Sequence, residues 1–143
     1  DLHSTSRRQR QMCKETDGKA LIYIFRPSKL AVDLSDEYAC KLLESQGYHS
    51  HDAARCIREL RHRLKDSTEF PHEIGLFLGY PPEDVRGFIL HKGNCCKYSG
   101  CWKVYGNEEK AAKEFAKFKK CSDIYYSKWL QGTPIQKLTV ACN

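Results

Sequence analysis

The stretch EIGLFLGYPPEDVRGFILHKG, residues 73–93, decides between a helical and a mixed reading of this chain. Its opening, EIGLFLGY, is a short apolar run ended by proline, the pattern of a strand buried in a sheet. After Pro81-Pro82 the signals change to those of a helix start. Proline stands in the first turn, and Glu83 and Asp84 occupy the next two positions, where carboxylates meet the positive end of the helix dipole. Gly93 supplies the stop. The stretch reads as strand, turn, helix.

Towards the N-terminus, KALIYIFR (19–26) is an apolar, β-branched run stopped by Pro27, and is expected to be a short buried strand. DLSDEYACKLLESQGY (33–48) reads as a helix, with Ser35 as N-cap, an apolar stripe through Tyr38, Leu42 and Leu43, and Gly47 at C′. A second helix runs from Ser50 to Lys65, with Ala53, Ile57, Leu60 and Leu64 on one face and Arg55, Arg58, His62 and Lys65 on the other. Towards the C-terminus, CWKVYG (101–106) is a third strand. Asn107 caps a helix through Ala111, Phe115 and Phe118, and Cys121-Ser122-Asp123 restarts it with Ile124 and Trp129. PIQKLTV (134–140) reads as a last short strand.

The order is β-α-α-β-α-β-α, with a β at the end, which predicts an α/β fold: a small three- or four-stranded sheet covered by helices. Residues 1–18 are polar and aperiodic and read as a flexible arm, leaving 19–143 as a single α/β domain. A chain of 143 residues that is 41% apolar can bury one core. No run approaches the roughly 20 apolar residues of a membrane helix, and the N-terminus lacks the apolar centre of a signal peptide. The expected setting is soluble, unexported and cytoplasmic, with no membrane partner.

Eight cysteines raise the question of compartment. Disulfide scaffolds are mostly small and loop-rich, whereas this chain has long helical patterns, and Cys40 and Cys56 sit inside them as buried free thiols would. A reducing setting is expected. The net charge of +6 suggests nucleic acid, but acids from Asp33 to Glu109 interrupt any continuous basic field.

FPHEIGLFLGYPPEDVRGFI (70–89), with the cysteine segment and CWKVYGNEEKAAKEFAKFKKC (101–121), resembles a family of clostridial and related anaerobic bacterial proteins, domain of unknown function 3793. KALIYIFRPSKL and TPIQKLTV resemble its segments too, so the similarity spans residues 19–140 and leaves the first 18 outside. The resemblance implies a cytoplasmic bacterial setting, a further N-terminal portion in such proteins, and small electron carriers such as flavodoxins as partners. It implies no activity and no catalytic residues.

The chemistry-bearing cluster is HKGNCCKYSGC, residues 91–101. Cys96 and Cys101 are separated by four residues including Ser99-Gly100, a loop that can close on a tetrahedral ion. His91, Cys95 and Cys121 are the supplementary ligands for zinc or iron. A plant-type iron–sulfur pattern fails, because Trp102-Lys103 stand where a further cysteine is needed. Lys92, Lys97 and Lys103 flank the thiols with no acid between residues 85 and 106, which suits a reactive thiolate and equally an anionic ligand. Plain structural thiols are the ordinary alternative.

His72-Glu73 has no HExxH spacing, so a zinc-protease reading drops out, while a Cys and His72 meeting in space as nucleophile and base stays open as a hydrolase reading. Glu83 and Asp84 would repel phosphate at the GYPPEDV turn. Trp102, Tyr105, Tyr125, Tyr126 and Trp129 read as core more readily than as stacking surfaces. Two function classes follow: a thiol-based metal-binding or redox/electron-transfer accessory domain centred on residues 91–103, and a non-catalytic module binding nucleic acid or protein through Arg55, Arg58, His62 and Lys65.

Overall fold

The computed structural model describes residues 10–16, 19–49 and 52–138. It opens with an antiparallel hairpin of β1 (Arg10–Thr16) and β2 (Lys19–Phe25), in which Cys13 lies opposite Ile22. Five helical segments follow: α1 (Pro27–Leu34), α2 (Glu37–Ser45), α3 (Ala53–Asp66), the single turn α4 (Ile74–Phe77) and α5 (Pro82–His91). A two-residue ladder of β3 (Tyr98–Ser99) and β4 (Lys103–Val104) leads to the long helix α6 (Glu108–Leu130) and the turn α7 (Ile135–Leu138).

The described protein is mainly helical, with two separate two-stranded antiparallel ribbons in place of the expected three- or four-stranded sheet. Residues 10–16, expected within a flexible arm, form β1 because their backbone pairs along the whole of β2. Residues 1–9, 17 and 18 of that arm lie outside the described residues. β2 is one-sided rather than buried: Tyr23 faces the core, while Ile22 and Ile24 are exposed.

Pro27, read as the end of a strand, is the first residue of α1, where its missing N–H costs nothing. Asp36, not Ser35, caps α2; its carboxylate accepts from the N–H groups of Tyr38 and Ala39 at 2.9 and 3.1 Å, while Ser35 bonds back to the Val32 carbonyl. Gly47 follows α2 with φ of +84°, as its C′ role requires. Leu42 and Leu43 are buried but Tyr38 is exposed. In α3 the buried face is Cys56, Leu60 and Leu64, and the basic face is exposed as expected.

EIGLFLGY is a helical turn, not a strand. Leu76 and Phe77 are consecutive and both buried, which alternation about a strand does not allow against a single layer. Gly79, at φ of +77°, closes the turn: its N–H bonds to the Leu76 carbonyl at 3.1 Å, and the Tyr80 N–H to that of Gly75 at 2.9 Å. This is a Schellman ending. The entry is held by buried Glu73, which accepts from the Tyr48 hydroxyl at 3.1 Å and faces Arg63 at 3.6 Å, with that guanidinium over the Tyr48 ring.

One core gathers Leu30 and Leu34 of α1, Leu42 and Leu43 of α2, Cys56, Leu60 and Leu64 of α3, and Leu76, Phe77 and Val85 beneath them. A smaller cluster of Val104, Ala111 and Phe115, joined by Trp102, seats the first turns of α6. That helix runs unbroken through Cys121-Ser122-Asp123, where a restart was expected, and a Lys119–Asp123 ion pair one turn apart supports its continuation. Residues 135–138, expected in a final strand, are helical, and residues 139 and 140 lie outside the described residues.

Tyr23 donates its hydroxyl hydrogen to the Phe77 carbonyl and stacks on Phe25, joining the hairpin to α4. Burial, aided by the charge of Asp33, pushes this phenol up to about 12 from 10.0. The folded state therefore holds the proton more tightly than the unfolded chain. The contribution is complete below the unfolded value and is lost as pH rises towards the folded one. Urea midpoints measured from pH 8 to 12 are expected to show a loss of about 2 to 3 kcal/mol associated with this group, and Tyr23→Phe should flatten that part of the decline.

Candidate functional site

Asp84, at the third position of α5, organises the cysteine loop. One carboxylate oxygen accepts from the N–H groups of Tyr105 and Gly106, both at 2.8 Å, and the other from the Trp102 indole N–H at 2.8 Å. The carboxylate is buried and has three partners. A close approach makes this reach possible: a Cβ at Gly87 would overlap the Tyr105 ring, so α5 lies directly against the segment after β4.

The loop between is tied by its own lysines. Lys97 donates to the Gly106 carbonyl at 3.1 Å and Lys103 to that of Gly93 at 2.5 Å, while the Tyr105 hydroxyl donates to the Asn94 carbonyl at 2.9 Å. α5 ends in left-handed backbone at Lys92 and Gly93, and Cys95 is left-handed as well, with φ of +57°. Positive φ at a non-glycine residue carries strain, and the ties on both sides hold it in place.

Against this frame lies a cleft of about 360 Å³ between α4, α5 and the β3–β4 ribbon. His72, Tyr80, Phe88, Cys101, Trp102 and Lys103 line it. Tyr80 and Trp102 stack with ring centroids 4.9 Å apart, and His72 packs on Phe88 at 4.9 Å. Burial, and then the negative charge of a Cys101 thiolate, push the Tyr80 phenol up. An exposed thiol, an imidazole and flat aromatic walls thus share one concave surface.

The sulfur set divides. The Tyr105 phenol is pushed up by burial and then by the charges of Cys96 and Cys95, and His91 stacks on its ring at 5.6 Å. Cys101 lines the cleft beside Tyr80, and Cys121 is exposed on α6. Among the described residues, no group of three or more His, Cys, Asp and Glu side chains is placed to hold a metal ion. Cys40 and Cys56 lie in helices outside any disulfide, as expected, and both are pushed up by burial first; Cys56 is fully buried and Cys40 donates to the Leu34 carbonyl at 3.2 Å. Cys142 lies outside the described residues.

Sequence reasoning located Cys101 and raised His72 with a cysteine, but it missed Tyr80, Phe88 and the anchoring role of Asp84. The available signal was a buried-type acid two residues after Pro82 with Trp102 downstream, a pairing that spacing alone does not reveal. Of the aromatics read as core, Trp102 and Tyr105 are partly buried, whereas Tyr125, Tyr126 and Trp129 are exposed.

The chain matches the family described as "Protein of unknown function (DUF3793)" over residues 2–139. It belongs to that family. The match takes in most of the segment expected to fall outside, in keeping with the pairing of β1 and β2. No curated protein and no solved structure matches the chain. No helix among the described residues is long and apolar enough to cross a membrane.

Removing the Asp84 carboxylate leaves two backbone donors and an indole N–H without their acceptor. Asp84→Ala is expected to cost about 3 to 5 kcal/mol in urea unfolding, and Asp84→Asn about half of that because one acceptor oxygen persists. A loss under about 1 kcal/mol for the alanine variant would show that the loop is held by other contacts.

Proposed function

We propose that this domain works through its thiols, as a redox or electron-transfer accessory domain with Cys101 as the reactive group. The observation that carries the reading is the placement of this exposed thiol in a cleft with His72 and a Tyr80–Trp102 stack. A cysteine so placed can attack a partner's disulfide as thiolate. The new S–S bond joins Cys101 to one partner sulfur, the other leaves as thiol, and a second thiol resolves the mixed disulfide. The aromatic walls suit a flat group. A small electron carrier such as a flavodoxin is the partner class that the family resemblance implies, within a cytoplasmic, anaerobic bacterial setting.

Zinc or iron held by Cys95, Cys96, Cys101, Cys121 and His91 is the other thiol chemistry. It is less favoured because, among the described residues, no group of three or more His, Cys, Asp and Glu side chains is placed to hold a metal ion. The hydrolase reading would use the same Cys101 and His72 as nucleophile and base.

Disulfide exchange with an aromatic disulfide reagent, read by mass spectrometry at each cysteine, tests the proposal. Cys101 should react about tenfold faster in the native protein than in urea, and His72→Ala should slow it several-fold. Cys56 should stay unlabelled until unfolding. Equal native and denatured rates at Cys101 would remove the proposal.

A second reading rests on the exposed Arg55, Arg58, His62 and Lys65 of α3, a basic face able to bind nucleic acid or an acidic protein. It predicts retention of mixed-sequence oligonucleotides that falls steeply with salt, and that Arg55→Ala with Arg58→Ala abolishes. Salt-independent or absent retention would discard the nucleic-acid form.

A further inference from the structure

The longest helix leaves most of its length uncovered. In α6 only Ala111 and Phe115 are buried, both in its first two turns, and the helix then continues for fifteen residues, about 22 Å at 1.5 Å per residue. The apolar stripe does not stop where the cover does. Ala111, Phe115, Phe118, Ser122, Tyr125 and Trp129 follow one another at steps of three and four, so one face runs from the core into solvent. Phe118 is 46% exposed and Trp129 57%. The flanks of this distal part are basic: Lys117, Lys119, Lys120 and Lys128 stand against Asp123, which is already paired with Lys119.

At the base of the same helix lies a second cleft, of about 650 Å³, between α6, the ends of α1 and α2, and the Gly79–Glu83 turn. Its charge is opposite. Asp33, Asp36, Glu83 and Glu114 line it, against Lys110, and its apolar wall is Tyr80, Trp102 and Phe118. The α6 residues that line it, Lys110, Ala111, Glu114 and Phe118, together with the cap Asn107, lie on the face that continues outward as Cys121, Tyr125, Lys128 and Trp129.

An acidic aromatic cleft and a basic aromatic arm thus sit at opposite ends of one helix face. We propose that two copies of this chain associate about a two-fold axis, with their α6 helices antiparallel, so that the basic arm of each packs into the acidic cleft of the other. Antiparallel pairing satisfies both contacts at once and makes the interface isologous, the commonest closed arrangement. Parallel pairing would set lysines against lysines. Burial of Phe118, Tyr125 and Trp129 supplies the apolar centre, and the lysine–carboxylate rim sets orientation and salt sensitivity. The inference is independent of the thiol reading, since it uses no atom of the Cys101 cleft except the shared Tyr80–Trp102 wall.

Sedimentation equilibrium on the full chain tests it. The wild type should be dimeric at about 100 μM, and Tyr125→Ala with Trp129→Ala should raise the dissociation constant at least about tenfold while far-UV circular dichroism stays unchanged. Two charge-reversed chains give the sharper test. One carries Lys117→Glu and Lys128→Glu in the arm, the other Glu83→Lys and Glu114→Lys in the cleft. Each alone should be monomeric, since arm and cleft then repel, and a mixture should recover a heterodimer because both contacts regain opposite charges. A monomeric wild type at that concentration, a dimer indifferent to the reversals, or a mixture that stays monomeric would each overturn the proposal.

Discussion

The rest of the structure around the cleft depends on one carboxylate. The β3–β4 ladder is two residues long on each strand, too short to be stable by its own hydrogen bonds. Asp84 replaces the missing length by accepting from two consecutive backbone N–H groups just past β4 and from the indole of Trp102. The same side chain sits in the first turn of α5, where a negative charge is favoured by the helix dipole. A single residue thus sits favourably in the first turn of a helix, pins a loop and orients the ring that forms one wall of both clefts. Gly87 is the steric counterpart, since any side chain there would displace Tyr105 and carry the acceptor away from its donors.

How legible this was in the sequence varied with the range of the interaction involved. α5 was read correctly because Pro82, Glu83, Asp84 and Gly93 act within a turn of their own positions. α3 was read from its three- and four-residue apolar steps. The strand expected at α4 fails because a short apolar run carries no period of its own, and only the burial of both Leu76 and Phe77 in one core separates a turn from a strand. β1 was missed because its polar composition says nothing about pairing; the available clue was Asp17-Gly18, a dipeptide typical of hairpin turns.

The candidate site was half visible for the same reason. Cys101, Lys103 and Trp102 are neighbours in sequence and could be marked together. His72, Tyr80 and Phe88 join them only because α4 and α5 pack at the closeness that Gly75 allows, where an added Cβ would come within 2.8 Å of Val85. The adjacency of Cys95 and Cys96 with Cys101 suggested a common pocket. The structure sets Cys101 in the cleft with Tyr80, and left-handed backbone at Cys95 and the short ladder after Cys96 turn the chain between the pair and the single thiol.

Helix α6 shows where a periodic pattern stops being informative. Its stripe has the same spacing where Val104 and Trp102 cover it and where its aromatics stay exposed among the described residues, so amphipathicity alone equates the two halves. The difference is energetic. Phe115 gains burial against its own domain, whereas Tyr126 and Trp129 remain 62% and 57% exposed and gain far less. Large aromatics left in water on a helix that is otherwise lysine-rich are more costly to solubility than to folding, because the helix is already supported by its base and its ion pair. A surface of that kind is stabilised by whatever covers it, and among the described residues the acidic cleft at the foot of the same helix carries the complementary charge.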